Sequence, residues 1–178
     1  MRIGQRTLLF GAHQFLLHPL LVLLAWLRLF GRPTFKELVC IAVHDLGYWW
    51  TTDIDGPTGS AHPEYGAALA ARWFGPEYRD LVLYHSRTYA AQAGREPSKL
   101  CWADKLSLTY EPWWLYLPRA WASGELAEYR RVAAEDGMVP VEAGHREWLR
   151  VVRRILIEQV NREIRKSSKR DLKRRIIV

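Results

Sequence analysis

Proline and glycine cut this chain into segments of helical length, and no other feature constrains its fold so tightly. A Pro is tolerated in the first turn of a helix and a Gly just past the last, so the two frame a helix from both ends. His18-Pro19 opens such a segment and Gly31 closes it. Thr34 and Glu37 stand at capping-box spacing, which predicts a helix from Phe35 into the His44-Asp45 pair, ended by Gly47. His62-Pro63 opens a helix that runs through Phe74 to Gly75, and Gly75-Pro76 starts another through Leu81, Tyr84 and His85. Pro97 begins one that carries Cys101, Ala103 and Asp104. After Gly144, Trp148, Val151, Val152, Ile155 and Leu156 share one face of a long helix. No strand pattern or internal repeat breaks the series. The sequence therefore predicts an all-α helical bundle, and its 178 residues suit a single domain that needs no disulfide.

Charge separates the body from its end. The net charge is +7, but residues 162–175 alone carry eight Lys/Arg against Glu163 and Asp171, which leaves the rest nearly neutral. This divides the chain into a bundle over 1–160 and a basic C-terminal helix end or tail over 161–178. The tail reads as a solvated helix end, with contact to nucleic acid or an anionic membrane as the alternative. The two cysteines, Cys40 and Cys101, lie in apolar surroundings outside any CxxC or Cys/His cluster. They are expected as reduced core residues of a cytoplasmic protein.

The apolar stretch from Leu8 to Phe30 has the length of a membrane span, about 20 residues. His13, Gln14, His18 and Arg28 interrupt it and Pro19 breaks it. Buried core helices are expected there, with peripheral membrane contact as the alternative, and the missing small-residue cleavage site before Gly31 argues against a signal peptide. Two further segments stand out. Thr51 to Ala61, with Asp53, Asp55, Gly56, Pro57 and Gly59, is a long polar insertion directly after the His-Asp pair and suits a lid or substrate loop. Glu111 to Trp121 gathers Trp113, Trp114, Tyr116 and Trp121, either as core or as a surface that stacks a nucleobase or lines an apolar pocket.

A single histidine at a helix end is more often a packing residue than a ligand, so any chemistry has to rest on a set. That set is His18, the adjacent His44-Asp45, His62, His85 and Asp104, spread over five successive helices near their ends. Such placement lets short antiparallel helices bring all of them to one locus. Pro19 to Phe30 rises about 18 Å and Phe35 to His44 about 15 Å, so a tight turn at Gly31 to Pro33 sets His18 beside His44. His13 would lie roughly 7 Å past that level, behind the ligands or facing substrate. Imidazoles mixed with carboxylates suit one or two divalent transition metals (Mn, Fe, Co, Ni or Zn) better than Mg or Ca, and the lack of thiolates excludes a zinc finger.

The order H…HD…H…H…D resembles the HD-domain superfamily, named for adjacent His and Asp ligands such as His44-Asp45 in "AVHDLGY". "HPEYGA" (His62 to Ala67) and "ADKLS" (Asp104 to Ser107) are similar to further motifs of the subgroup that holds two metals, and the likeness spans Gly11 to Pro118. By that resemblance Asp45 bridges two ions, with His18, His44 and Asp104 on one and His62 and His85 on the other. It implies a hydrolase in which a metal-bridged hydroxide attacks a phosphomonoester or phosphodiester, a nucleotide among them. Arg87 and Lys105 each follow a ligand closely and are candidates to bind the substrate phosphate, Arg through two hydrogen bonds and Lys as a point charge.

Two departures bear on the substrate. Tyr48 and Trp49 stand where a Lys often follows the HD pair, and no GYP triplet follows His85, so a cyclic dinucleotide is not implied. The same ligand order suits an HD-fold diiron oxygenase that cleaves C–C or C–P bonds, which would need two irons and consume oxygen. A non-catalytic HD-fold binding protein acting through the basic tail is a third class. It has no need of a complete ligand set. The sequence leaves the oligomeric state open.

Overall fold

In the computed structural model, which describes the backbone of residues 1–176 and the side chains of residues 1–166, ten α-helices follow one another and no strand occurs among the described residues. They are α1 (Ile3–Phe10), α2 (Leu17–Phe30), α3 (Phe35–Val43), α4 (Pro63–Phe74), α5 (Pro76–Leu83), α6 (Arg87–Gln92), α7 (Lys99–Ser107), α8 (Trp113–Ser123), α9 (Glu125–Glu135) and α10 (His145–Ile176). Short 3-10 turns at Leu46–Trp50 and Gly59–Ala61 flank the polar loop. The all-α bundle expected from the sequence is the fold observed.

The punctuation works as local chemistry requires. Thr34 Oγ1 accepts the Glu37 backbone N–H at 3.2 Å while Glu37 Oε2 accepts the Thr34 N–H at 2.8 Å, closing both halves of the capping box. Pro63 and Pro76 occupy first turns, and Gly31 and Gly75 take positive φ at the ends of α2 and α4.

Several boundaries differ from those expected. α3 stops at Val43, leaving His44 as its C-cap and Asp45 at the head of a 3-10 turn, and Gly47 sits inside that turn rather than ending the helix. α5 ends at Leu83, so Tyr84 and His85 lie in the turn beyond it. α7 starts at Lys99 behind Ser98, whose hydroxyl donates to the Leu81 carbonyl, and not at Pro97. The apolar stretch 8–30 is broken at 11–16 by a turn that separates α1 from α2. It is only half buried: α2 turns His18, Val22, Ala25 and Trp26 inward but leaves Leu20, Leu24 and Leu27 exposed. No helix among the described residues is long and apolar enough to cross a membrane. Helix α10 runs into the basic segment 161–178, whose side chains beyond Lys166 lie outside the described residues.

Two large apolar cores result, beside a small cluster of Leu8, Tyr48 and Ile54. In the larger one, Trp26 of α2, Ile41 of α3, Ala70 of α4, Val82 of α5 and Leu100 of α7 meet Val160 of α10, with Cys40 buried among them. In the second, Tyr116 and Leu117 of α8 and Leu126 of α9 pack against Trp148 and Leu149 of α10. Cys40 and Cys101 are both free and fully buried. α2 packs along α7 and α4 along α5, and these pairings set the metal-type residues face to face.

Candidate metal centre

His18 stands in the first turn of α2, His44 caps α3 and Asp45 follows it, His62 immediately precedes Pro63, His85 lies two residues past α5, and Asp104 sits within α7. The fold brings all of them together as two groups that share one carboxylate. His18, His44, Asp45 and Asp104 form the first and Asp45, His62 and His85 the second, with the ligand atoms of each group within 4.8 Å of one another. Asp45 directs one oxygen to each. Its Oδ2 is 3.1 Å from His18 Nε2 and 3.2 Å from His44 Nε2, and its Oδ1 is 3.4 Å from the Nε2 atoms of both His62 and His85. Asp104 Oδ1 lies 3.1 Å from His18 Nε2. The turn at 31–33 sets His18 Nε2 3.3 Å from His44 Nε2, as the helix lengths require.

Three of these imidazoles are oriented by one device. His44 Nδ1 faces the Ile41 carbonyl at 2.8 Å, His62 Nδ1 the Gly59 carbonyl at 2.6 Å and His85 Nδ1 the Val82 carbonyl at 2.5 Å, each three residues back along the chain. A carbonyl only accepts, so the proton of each neutral ring sits on Nδ1 and the Nε2 lone pair points inward. Lone pairs of His62 and His85 then confront each other at 3.0 Å, with an anionic oxygen beside them. Converging acceptors with no donor between them repel unless a cation occupies their centre, and a backbone carbonyl behind a ligating imidazole is the usual support of a metal site. The residues present fit a divalent metal.

The electrostatics divide the two groups. At His18 burial disfavours the charged ring, but the carboxylates of Asp104 and Asp45 outweigh it and raise the pKa to about 10. Burial instead dominates at His62 and lowers its pKa to about 3, which keeps that ring neutral. Burial would raise Asp45, yet the surrounding imidazoles hold it well below the usual carboxylate range, and Lys105 with His18 does the same for Asp104.

Two glycines permit the approach. A Cβ on Gly47 would stand 1.9 Å from the His62 carbonyl oxygen, and one on Gly66 would stand 2.5 Å from that of Val43. Both belong to segments whose wording carried the family resemblance, and close backbone contact between the His44-Asp45 turn and the start of α4 explains them.

His13 does not lie beyond the ligand level, because the break at 11–16 folds it back. Its Nε2 comes to 4.0 Å from Asp45 Oδ2 and its ring stacks near Tyr48. Nδ1 is 3.2 Å from Glu125 Oε2, and Glu125 is fully buried, accepting also from the Ala12 N–H, Ser123 Oγ and Tyr129 Oη. Burial opposes charge on His13, while Asp45 and Glu125 outweigh it and raise its pKa. Glu125 carried no motif and was missed by the sequence reading. It is recognisable only once α9 is seen to close over residues 11–13.

The cluster forms one side of a cavity of about 400 Å³. Arg87 and Lys105 both line it, Arg87 donating to Gln159 Oε1 at 3.4 Å and Lys105 to Asp104 Oδ2 at 3.4 Å. The loop expected as a lid or substrate loop is tethered: Asp53 accepts from Thr58 and Gly59, Glu128 accepts the backbone N–H groups of Ile54 and Asp55, and Ile54 is buried. Ile54, Asp55, Gly59 and Ser60 line the cavity. The aromatic run 111–121 divides, with Tyr116 buried on the cavity wall and Trp113, Trp114 and Trp121 exposed.

Comparison of the chain with protein-family models, curated proteins and solved structures gave no match. The reading of this site therefore rests on its geometry.

Proposed function

We propose that this protein is a metal-dependent phosphohydrolase built on an HD-type bundle, hydrolysing a phosphomonoester or phosphodiester. The observation that carries the proposal is the sharing of Asp45, one carboxylate oxygen toward each of two groups of nitrogen and oxygen ligands. His18, His44, Asp45 and Asp104 would hold one ion, and Asp45, His62 and His85 the other. The bound ions would supply a water acidified toward neutral pH and positive charge for the phosphoryl oxygens.

The chain's own residues would do the rest. Half-buried Lys105, kept charged by Asp104, and Arg87 at the start of α6 place two cations on the cavity wall beside the ligands. Both suit the nonbridging oxygens of a phosphate. His13, anchored at Nδ1 by Glu125, presents Nε2 toward the cluster and can hold there the proton that a leaving oxygen takes up. Tyr48, stacked on His62 with ring centroids 4.0 Å apart, covers the second group.

The test is phosphate release from aryl phosphomonoesters and diesters by protein reconstituted separately with manganese, iron, cobalt, nickel and zinc. Hydrolysis that is abolished by Asp45→Asn supports the proposal. Turnover insensitive to that substitution, or oxygen consumption without phosphate release by the iron form, contradicts it.

A further inference from the structure

The cavity beside the cluster has two chemically different sides, contributed by different parts of the chain. The ligands come from residues 18–104, whereas the opposite side is built from α9, α10 and the connection between them. Most of that side is apolar, with Val132, Met138, Trp148, Val152, Ile155 and Leu156 beside Asp136 and Gln159. Of these, Val132, Met138, Ile155 and Leu156 pack into neither core. Ile155 and Leu156 are half-buried residues of α10 that face the cavity. Apolar side chains left on a cavity wall beside a cluster of ionic groups gain their burial only when something apolar fills the space.

Charge on the wall limits the other end of the ligand. Among the described residues the Lys and Arg side chains that line the cavity are Arg87 and Lys105, and Lys105 is already engaged by Asp104. Asp55, Glu111 and Asp136 also line it. A chain of phosphates extending from the cluster would meet these carboxylates rather than further cations, so the site suits one compact anionic group. The polar groups of that wall are few, Asp136, Gln159 and the Trp148 indole N–H among them, so a nucleobase would set much of its polar edge against Val132, Met138, Ile155 and Leu156, which offer no hydrogen-bond partner.

We infer that the substrate is an amphiphile, with a single phosphate head at the His/Asp cluster and a hydrocarbon tail lying against α9 and α10. This rests on the phosphohydrolase reading for the head, and on the apolar wall alone for the tail.

The experiment is isothermal titration of metal-reconstituted protein with inorganic phosphate and with ethyl, butyl, hexyl and octyl phosphate, alongside AMP, ATP and octanoate. Affinity for the alkyl phosphates is expected to rise about three- to fourfold for each buried methylene. The gain should be lost in Ile155→Gln and Leu156→Gln, neither of which touches a core, while inorganic phosphate binds those variants as it binds the parent. A flat dependence on chain length with phosphate still bound would overturn the amphiphile and leave the hydrolase reading standing. Tighter binding of AMP or ATP than of octyl phosphate would overturn it as well. Binding of octanoate without binding of any phosphate would uphold the tail site and remove the phosphate head, and with it the hydrolase reading.

Discussion

His62 and His85 hold their Nε2 atoms 3.0 Å apart, although the Nδ1 of each faces a backbone carbonyl three residues earlier. Each ring therefore donates backward and accepts forward, and two acceptors meet at hydrogen-bonding distance with no hydrogen to share. Burial lowers the pKa of His62 to about 3, so that ring brings no second proton to the contact. A cation is the remaining partner, and its absence would leave this corner of the bundle repulsive.

The backbone contact that sets this pair can be broken with one methyl group. In Gly66→Ala the new Cβ stands 2.5 Å from the Val43 oxygen and 3.1 Å from that of His44, so α4 must shift away and carry His62 with it. Metal affinity is expected to fall about 10- to 100-fold, read by competition with a chromogenic chelator, with helix content by circular dichroism retained. Unchanged affinity would mean that the approach of α4 to the His44-Asp45 turn does not position the ligands.

Protons should leave as metal enters, and mainly from one side. In the metal-free protein His18 titrates near pH 10, raised by Asp104 and Asp45 against the opposing effect of burial. At pH 8 it is protonated, and a metal displaces about one proton from it. His62, titrating near pH 3, has none to give at that pH. Calorimetric titration of metal in buffers of different ionisation enthalpy should show the release at pH 8, and the release from His18 should fade as pH rises through 10. The same shift stabilises the metal-free fold below the ring's unfolded pKa, and that contribution is lost as pH climbs through 10.

Glu125 acts through His13. Replacing its carboxylate with an amide in Glu125→Gln removes negative charge from behind His13 Nδ1, so the pKa of His13 drops. A His13 that must be protonated to serve the leaving group then loses its proton at lower pH. kcat is expected to fall about 100-fold, the alkaline limb of its pH profile to move to lower pH, and metal content to stay the same. Loss of stability with an unmoved limb would assign Glu125 a packing role.

The first two thirds of the chain declared their architecture because the helices there are short and framed by Pro and Gly, as Pro63 and Gly75 frame α4. The same frames put five of the candidate ligands at helix ends, and the clustering of His18, His44, Asp45, His62, His85 and Asp104 was legible from order and spacing. What escaped was decided by long-range contact. α6 has Gly94 past its end but no Pro at its start, and the extent of α1 was hidden because an apolar run does not show where a turn will break it. That turn is what returns His13 to the cluster. Glu125 meets His13 across 112 positions of sequence and stands in a helix with no motif. The apolar wall of the cavity follows the helical period of α10, which cannot tell a core face from a face left open to ligand.

The measurement that tests the central claim most directly is metal content per chain. Protein purified without chelator and without oxygen, beside Asp45→Ala, should be taken through elemental analysis after equilibration with each divalent transition metal. Two ions per chain in the parent, both lost when the shared carboxylate is removed, is the result predicted. A parent chain that binds none, or an Asp45→Ala protein that keeps both, would contradict it.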